Sequence, residues 1–258
     1  MGGATATAVG IQPVAAGTAI VTLGPLPGNP APSSGNQIVF NVTEAALSIV
    51  PFTLGRDLEA PVQLRLGSTV QNPVADVPIT VYGGYPIAVA LNSGDAGQNS
   101  IVATIPAGQR ASKPFYVQGV STGSASLNYG GGNLQNLSTP VTVAQTAFVI
   151  KEAKGGQSIN LSVGAAAKLT ILPAVSPPSS AAAGPLTIRP GASPIMVAVA
   201  STNPGIVTVS PSQVSLNSGD QQTTVSVQGL AAGTATVKLL GTGYDFSQPQ
   251  SSIQLVVK

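Results

Sequence analysis

One eleven-residue pattern occurs three times, and its spacing constrains what this chain can fold into more than any other feature. The copies are Ile11-Gln12-Pro13-Val14-Ala15-Ala16-Gly17-Thr18-Ala19-Ile20-Val21, Val117-Gln118-Gly119-Val120-Ser121-Thr122-Gly123-Ser124-Ala125-Ser126-Leu127 and Val227-Gln228-Gly229-Leu230-Ala231-Ala232-Gly233-Thr234-Ala235-Thr236-Val237. Their starts lie 106 and 110 residues apart, close to the length of one β-sandwich domain of roughly 100 residues. The period predicts a tandem array with two complete copies, over 46–145 and 146–258, and a partial copy over 1–45 that supplies only closing strands. Gly17, Gly123 and Gly233 share one place in the pattern, a tight turn between two strands, where a torsion open to glycine is costly for other residues. Alternation after the turn puts Ala235 and Val237 on one face and Thr234 and Thr236 on the other, so one face goes to a core.

Composition agrees with many short strands. Of 258 residues, 30 are Gly and 22 are Pro, while charged residues make up 7% and aromatics 4%. Such a mixture favours strands punctuated by turns and gives helices little support. No apolar run reaches the roughly 18 residues of a membrane helix, and no membrane insertion is expected. The net charge of +2 rests on ten basic against eight acidic residues. Lys151 and Lys154 form the densest basic pair and read as a solvated strand entrance, so no nucleic-acid partner is expected. Without Cys there is no disulfide or thiolate chemistry, and without His the usual general base and commonest transition-metal ligand are missing. Met1-Gly2-Gly3-Ala4 carries no basic stretch followed by an apolar one, so no export signal is read there.

Periodicity and turn residues set the strands. In 1–45 these are Ala4–Gln12, Thr18–Leu23 and Gln37–Val42, with Gly24–Pro32 as a rigid connection. The middle copy reads Leu47–Leu54, Val62–Leu66, Val77–Tyr82, Ile87–Leu91, Ser100–Ile105, Lys113–Gln118, Ser124–Tyr129 and Thr139–Val143. Between its first two strands, Gly55–Pro61 is expected as a loop of polar positions at a solvated edge. The last copy reads Phe148–Lys151, Ile159–Val163, Lys168–Leu172, Ile195–Ala200, Ile206–Val209, Gln213–Leu216, Thr223–Gln228, Thr234–Leu239 and Ser252–Val257. Its Pro173–Pro194 stretch is an irregular excursion around a short segment, Leu186–Ile188.

Val207-Thr208-Val209-Ser210-Pro211-Ser212-Gln213-Val214-Ser215-Leu216, then Gly219, then Thr224 through Val237, resembles the bacterial immunoglobulin-like repeats, group 2 type, of large secreted and cell-surface proteins. Gly243-Tyr244 falls where those repeats often carry such a pair before the last strand. The likeness is good over 196–257, weaker over 78–143 and partial over 5–42. It implies an all-β chain of tandem immunoglobulin-like sandwiches used as stalk, spacer or adhesive unit, and it brings no catalytic residues.

Several side chains invite a sharper reading. Leu91-Asn92-Ser93-Gly94-Asp95 recurs as Leu216-Asn217-Ser218-Gly219-Asp220, but at different places in the repeat. The composition is that of a turn, and one carboxylate per loop is a poor start toward the six to eight oxygens of a calcium site. Asp57 and Glu59 read as a solvated edge rather than a paired-carboxylate site. Tyr82 and Tyr85 flank Gly83-Gly84, read as a tight turn; Tyr244 and Phe246 flank Asp245. All four aromatics are candidate glycan contacts, although such a pair more often closes the end of a sandwich. The Gly-rich runs 130–132 and 241–243 lack phosphate-loop spacing and read as hairpin loops. Lys151 and Lys168 face no Asn or Asp on the last strand, which argues against an isopeptide crosslink. Asn41, Asn136 and Asn160 begin glycosylation-type triplets that chance explains.

The chain is thus expected to be a non-enzymatic extracellular or cell-surface module: stalk, adhesion scaffold or fibre subunit, with no cofactor and no metal. The alternative is a carbohydrate-binding accessory module. Expected partners are a surface or matrix component, or other copies of the chain completing the open face of 1–45 by strand addition.

Overall fold

The structure is a computed structural model, described over residues 11, 17–24, 36–42, 46–68, 70–131, 134–156, 158–179 and 184–258. The expected strand Ala4–Gln12, apart from Ile11, the turn residues 25–32 and Ser180–Ala183 lie outside the described residues.

A hairpin comes first, β1 (Gly17–Thr22) against β2 (Gln37–Val42). The next ten strands are β3 (Leu47–Ser48), β4 (Phe52–Gly55), β5 (Leu58–Val62), β6 (Arg65–Leu66), β7 (Val77–Gly83), β8 (Ile87–Ala90), β9 (Ser100–Ile105), β10 (Phe115–Gly119), β11 (Gly123–Gly131) and β12 (Leu134–Ile150). They build a sandwich of two sheets, β5-β10-β8 and β4-β12-β11-β7-β9, with β4 running parallel to β12. The last nine are β13 (Ile159–Leu161), β14 (Ala166–Ser176), β15 (Thr187–Ile188), β16 (Ile195–Ser201), β17 (Val207–Ser210), β18 (Gln213–Leu216), β19 (Thr223–Gly229), β20 (Gly233–Leu240) and β21 (Ser252–Val257). Their order repeats the first plan: β14-β19-β17 and β13-β21-β20-β16-β18, with β13 parallel to β21. These are tandem immunoglobulin-like β-sandwiches. Alternation along the strands buries Leu54, Ile79, Leu127 and Val141 in the first core and Leu169, Val197, Val237 and Leu255 in the second.

The recurring stretch is a corner rather than a hairpin. In each sandwich it carries the chain out of the three-stranded sheet, through β10 or β19, and into the five-stranded one, through β11 or β20. Its second glycine opens the new strand at φ +148° in both Gly123 and Gly233, a torsion that L side chains rarely adopt. Its first glycine sits where the sheets close. A Cβ on Gly119 would come 2.5 Å from Gly55 O, and one on Gly229 would come 2.9 Å from Val257 Cγ1. The hairpin keeps the same register: Gly17, at φ +144°, stands opposite Val42 as Gly123 stands opposite Val143 and Gly233 opposite Val257. β1 and β2 therefore occupy the place of β11 and β12, and Ile20 and Ile38 on them are exposed.

Four expectations about strands change. Val62–Leu66 is divided between the end of β5 and β6. Leu47–Leu54 is two strands, because Pro51 offers no N–H and the chain crosses between sheets there. Side chains hold the crossing: Ile49 N–H donates to Tyr129 Oη at 3.2 Å, and Ile49 O accepts from Thr139 Oγ1 at 3.1 Å. Thr139–Val143 and Phe148–Ile150 are parts of one strand, β12, and Lys151 opens a short 3-10 helix, Lys151–Gly156. The end of β12, Gln145–Ile150, leaves the first sandwich and pairs with Ile171–Ser176 of the second, so β14 extends through Pro173 and the irregular excursion begins only after it.

Candidate functional site: the joint between the sandwiches

Both ion pairs among the described residues lie where the sandwiches meet, on Asp57. Chain continuity through β12 brings 145–150 alongside the second core. A second connection comes from the excursion: its short strand β15 adds to the edge of the first sandwich, with Thr187 opposite Glu59 and Ile188 opposite Leu58. Arg189 N–H donates to Asp57 O at 3.0 Å. The other side of β15 is held by its own sandwich, where Ile188 N–H donates to Asp220 O at 3.0 Å and Gly219 N–H donates to Ile188 O at 2.9 Å. Leu58, Glu59 and Ile188 are fully buried as a result.

This overturns the solvated edge expected for Gly55–Pro61. Asp57 takes φ 64° in a tight corner, so it does not share an extended face with Glu59. Its carboxylate accepts from Arg189 Nη2 at 3.1 Å and from Tyr244 Oη at 3.1 Å, and it lies 3.3 Å from Arg56 Nε. Glu59, covered by β15, accepts from Ser93 Oγ at 2.7 Å, Gly94 N–H at 3.2 Å and Gln118 Nε2 at 3.1 Å. A buried carboxylate is tolerated when such donors replace water. With every oxygen turned toward donors, Glu59 ties the turn 91–95 to the sheet and is not arranged to hold a cation. Among the described residues no cluster of three or more metal-ligating side chains occurs.

The repeated pentapeptide forms the same turn twice. Asn92 and Asn217 each donate their N–H to the following Asp carboxylate, Asp95 or Asp220, at 3.3 and 2.7 Å, and Gly94 and Gly219 take φ +84° and +89°. Both turns border the joint, one through Glu59 and the other through Ile188.

Tyr244 and Phe246, expected as glycan contacts or as the closure of a sandwich end, belong to the joint. Phe148 meets Tyr244 edge-to-face at 5.6 Å and stacks with Phe246 at 5.8 Å, while the Arg56 guanidinium lies 4.9 Å from the Tyr244 ring centroid. One face of Phe246 is thus taken by Phe148, and the Tyr244 ring is taken by Phe148 and Arg56. Burial, and then the neighbouring Asp57 charge, raises the Tyr244 phenol above its usual range. Asp245 bonds through its backbone to Thr146 O and Phe148 N–H on β12. Hydrogen bonds from Ser176, then Ser247 and Gln248, hold its carboxyl well below the usual range. Arg56 and Gln145 both donate to Gly243 O, from opposite ends of the first sandwich's sequence.

Tyr82 and Tyr85 lie elsewhere. The turn runs from Gly84 to Ile87, whose N–H donates to Gly84 O at 3.1 Å. Tyr82 is 49% and Tyr85 77% exposed. Tyr82 borders a shallow groove of about 340 Å³ on the outer face of the five-stranded sheet, beside Asn128, Asn136 and Ser138. The sequence does not single out Arg56 or Arg189. The available signal was density of charge: Arg56-Asp57-Leu58-Glu59 is a tight polar run in a chain with 7% charged residues.

Fold and joint together define the class: tandem immunoglobulin-like sandwiches coupled by a shared strand and an added strand. No family model and no curated protein matches the sequence. Among solved structures, the chain is similar to domains 4 and 5 of the S-layer protein SbsC, at 17% identity over 55% of this chain and 68% of that one, with a TM-score of 0.31. It is also similar to invasin, a bacterial integrin-binding protein, at 12% identity over 83% and 39% of the two chains and TM-score 0.30. The adhesin InvE of Yersinia pseudotuberculosis matches at 17% identity over 83% and 60%, with TM-score 0.29. No helix among the described residues is long and apolar enough to cross a membrane.

Proposed function

We propose that the chain is a non-catalytic surface module of the bacterial immunoglobulin-like type, in which successive sandwiches over 46–145 and 146–258 act as a stiff spacer or adhesion scaffold. The observation that carries this reading is the joint. A shared strand, an added strand and the Arg56–Asp57–Arg189–Tyr244 cluster resist bending in different directions, whereas a flexible linker would resist in none. An extracellular or cell-surface location, and a partner that is either a surface or matrix component or another copy engaging the 1–45 hairpin, belong to the same proposal. Small-angle scattering of the whole chain tests it. A single orientation of the sandwiches should fit the curve; a requirement for many orientations would sink the spacer reading.

A second reading rests on the groove beside Tyr82. An exposed ring next to two amides and a hydroxyl, with no charge, suits a neutral sugar. Glycan-array binding that is lost in Tyr82→Ala supports it; binding that persists in that variant counts against it.

A further inference from the structure

The two sandwiches present the same edge, and among the described residues only one is covered by a strand. Matching the corners makes Gly229 the counterpart of Gly119 and Gly164 the counterpart of Asp57. The corner N–H of Asp57 donates to Gly119 O at 2.8 Å, as that of Gly164 donates to Gly229 O at 2.7 Å. The following residues then correspond in order: Leu58, Glu59 and Ala60 to Ala165, Ala166 and Ala167. Their pairing partners agree, since Glu59 stands opposite Gln118 and Ala166 opposite Gln228. The first three are fully buried beneath β15, whereas Ala166 is exposed and Ala165 and Ala167 are half-exposed. Two apolar side chains beside this edge, Val163 and Leu230, are 54% and 44% exposed. Gly164 O, counterpart of the Asp57 O that accepts Arg189 N–H, takes only a 3.3 Å bond from the exposed Gln228 side chain. Farther along β14, Thr170 N–H is already taken by Glu152 Oε2 at 2.9 Å, so the open stretch ends there.

We propose that the edge 165–168 is a docking site for a short extended strand from a further sandwich of this class in the same polypeptide, added as β15 is added to β5. The internal contact supplies the template: one β-branched residue opposite the second edge position and an apolar one opposite the first, continued by a backbone N–H to the corner carbonyl. Exposed strand edges recruit partners of this kind through their unpaired N–H and C=O groups; Lys168, at the far end of this one, limits the added strand to the first three positions. The first sandwich continues its edge with Pro61, which has no N–H; the counterpart, Lys168, keeps one. Chemistry sets one difference in the partner. Gly164 has no carboxylate, so the partner strand needs no arginine where Arg189 pairs with Asp57.

Hydrogen exchange on the whole chain tests this, using as probe a synthetic peptide of residues 184–194. At a peptide concentration about ten times its dissociation constant, the edge-facing amides of Ala166 and Lys168 should exchange about ten-fold more slowly, with amides 58–60 unchanged. A peptide carrying Arg189→Ala should protect wild-type chain equally well. Gly164→Asp, at a corner where an added Cβ meets nothing within 4 Å, should bind the unaltered peptide more tightly by restoring the ion pair. No protection of Ala166 and Lys168 in either wild-type or Gly164→Asp chain overturns the proposal. Concentration-dependent self-association with protection of these two amides in the absence of peptide also overturns it, assigning the edge to a second copy. Scattering from the unliganded chain, extrapolated to the dilute limit where it is monomeric, does not depend on the peptide, so the spacer reading stands or falls separately.

Discussion

Asp57 and Gly164 hold the same corner of the two sandwiches, at φ 64° and +85°, each with its N–H on the carbonyl of the facing glycine. A left-handed corner suits glycine; aspartate tolerates it when its carboxylate is used. In the first sandwich it is used across the joint, for Arg189 and Tyr244.

That difference predicts the energetics of the joint. Asp57→Gly keeps the corner and removes the carboxylate, while Arg189→Ala removes its partner. With both side chains mostly buried, each change should cost about 1–3 kcal/mol in urea unfolding. The double variant should cost clearly less than the sum, because the pair shares one interaction. Additive losses would show that the two residues act separately.

Glu59 gives an independent test of the covered edge. Removing its carboxylate strands the buried Gln118 amide and the Ser93 and Gly94 donors, so Glu59→Ala should destabilise by about 2–3 kcal/mol. Glu59→Gln keeps the shape but places donors against donors, and it should recover only part of that loss. A solvated Glu59 would tolerate either change within about 0.5 kcal/mol.

The period, the sandwich plan and most strand positions were legible because alternation and turn residues act locally. Thr223–Gly229 and Ser252–Val257 follow the sequence pattern almost residue for residue. The joint was not legible, because it depends on contacts between residues as distant as Asp57 and Arg189. Nothing local in Leu58-Glu59-Ala60 distinguishes an edge open to water from one covered by a strand 128 residues later, as Glu59 opposite Thr187 is. Tyr244 and Phe246 were ambiguous for the same reason: Phe148, which occupies them, lies on β12, whose continuation into the second sandwich local pattern reads as two strands.

Acid should loosen the joint through Asp245. Its folded-state carboxyl sits far below the ordinary value of 3.8, so the ionised form is favoured by folding. That contribution is present above the unfolded value and is lost as pH falls below about 4 toward the lowered folded value. Wild-type stability should therefore decline more steeply below about pH 4 than that of Asp245→Asn, which lacks the titrating group. Parallel acid profiles of the two proteins would contradict the assignment. In alkali the sign reverses for Tyr244: its raised value favours the neutral phenol, and stability declines as pH rises above about 10.

The corner glycines separate backbone from packing. Gly123 and Gly233 share φ +148°, so alanine at either place should cost roughly 1–3 kcal/mol for the torsion alone. Their surroundings differ. A Cβ at Gly123 would meet Pro86 Cγ at 3.3 Å, whereas one at Gly233 would meet Ile206 Cδ1 at 2.6 Å and Cγ1 at 3.3 Å. Ile206 packs against the core, so Gly233→Ala should be the more destabilising of the two in urea unfolding. Gly24→Ala, at a position with no positive φ and nothing within 4 Å, serves as the control and should change stability by less than about 0.5 kcal/mol. Equal costs at 123 and 233 would mean that the torsion alone decides; no cost at either would remove the corner as the reason the pattern repeats glycine there.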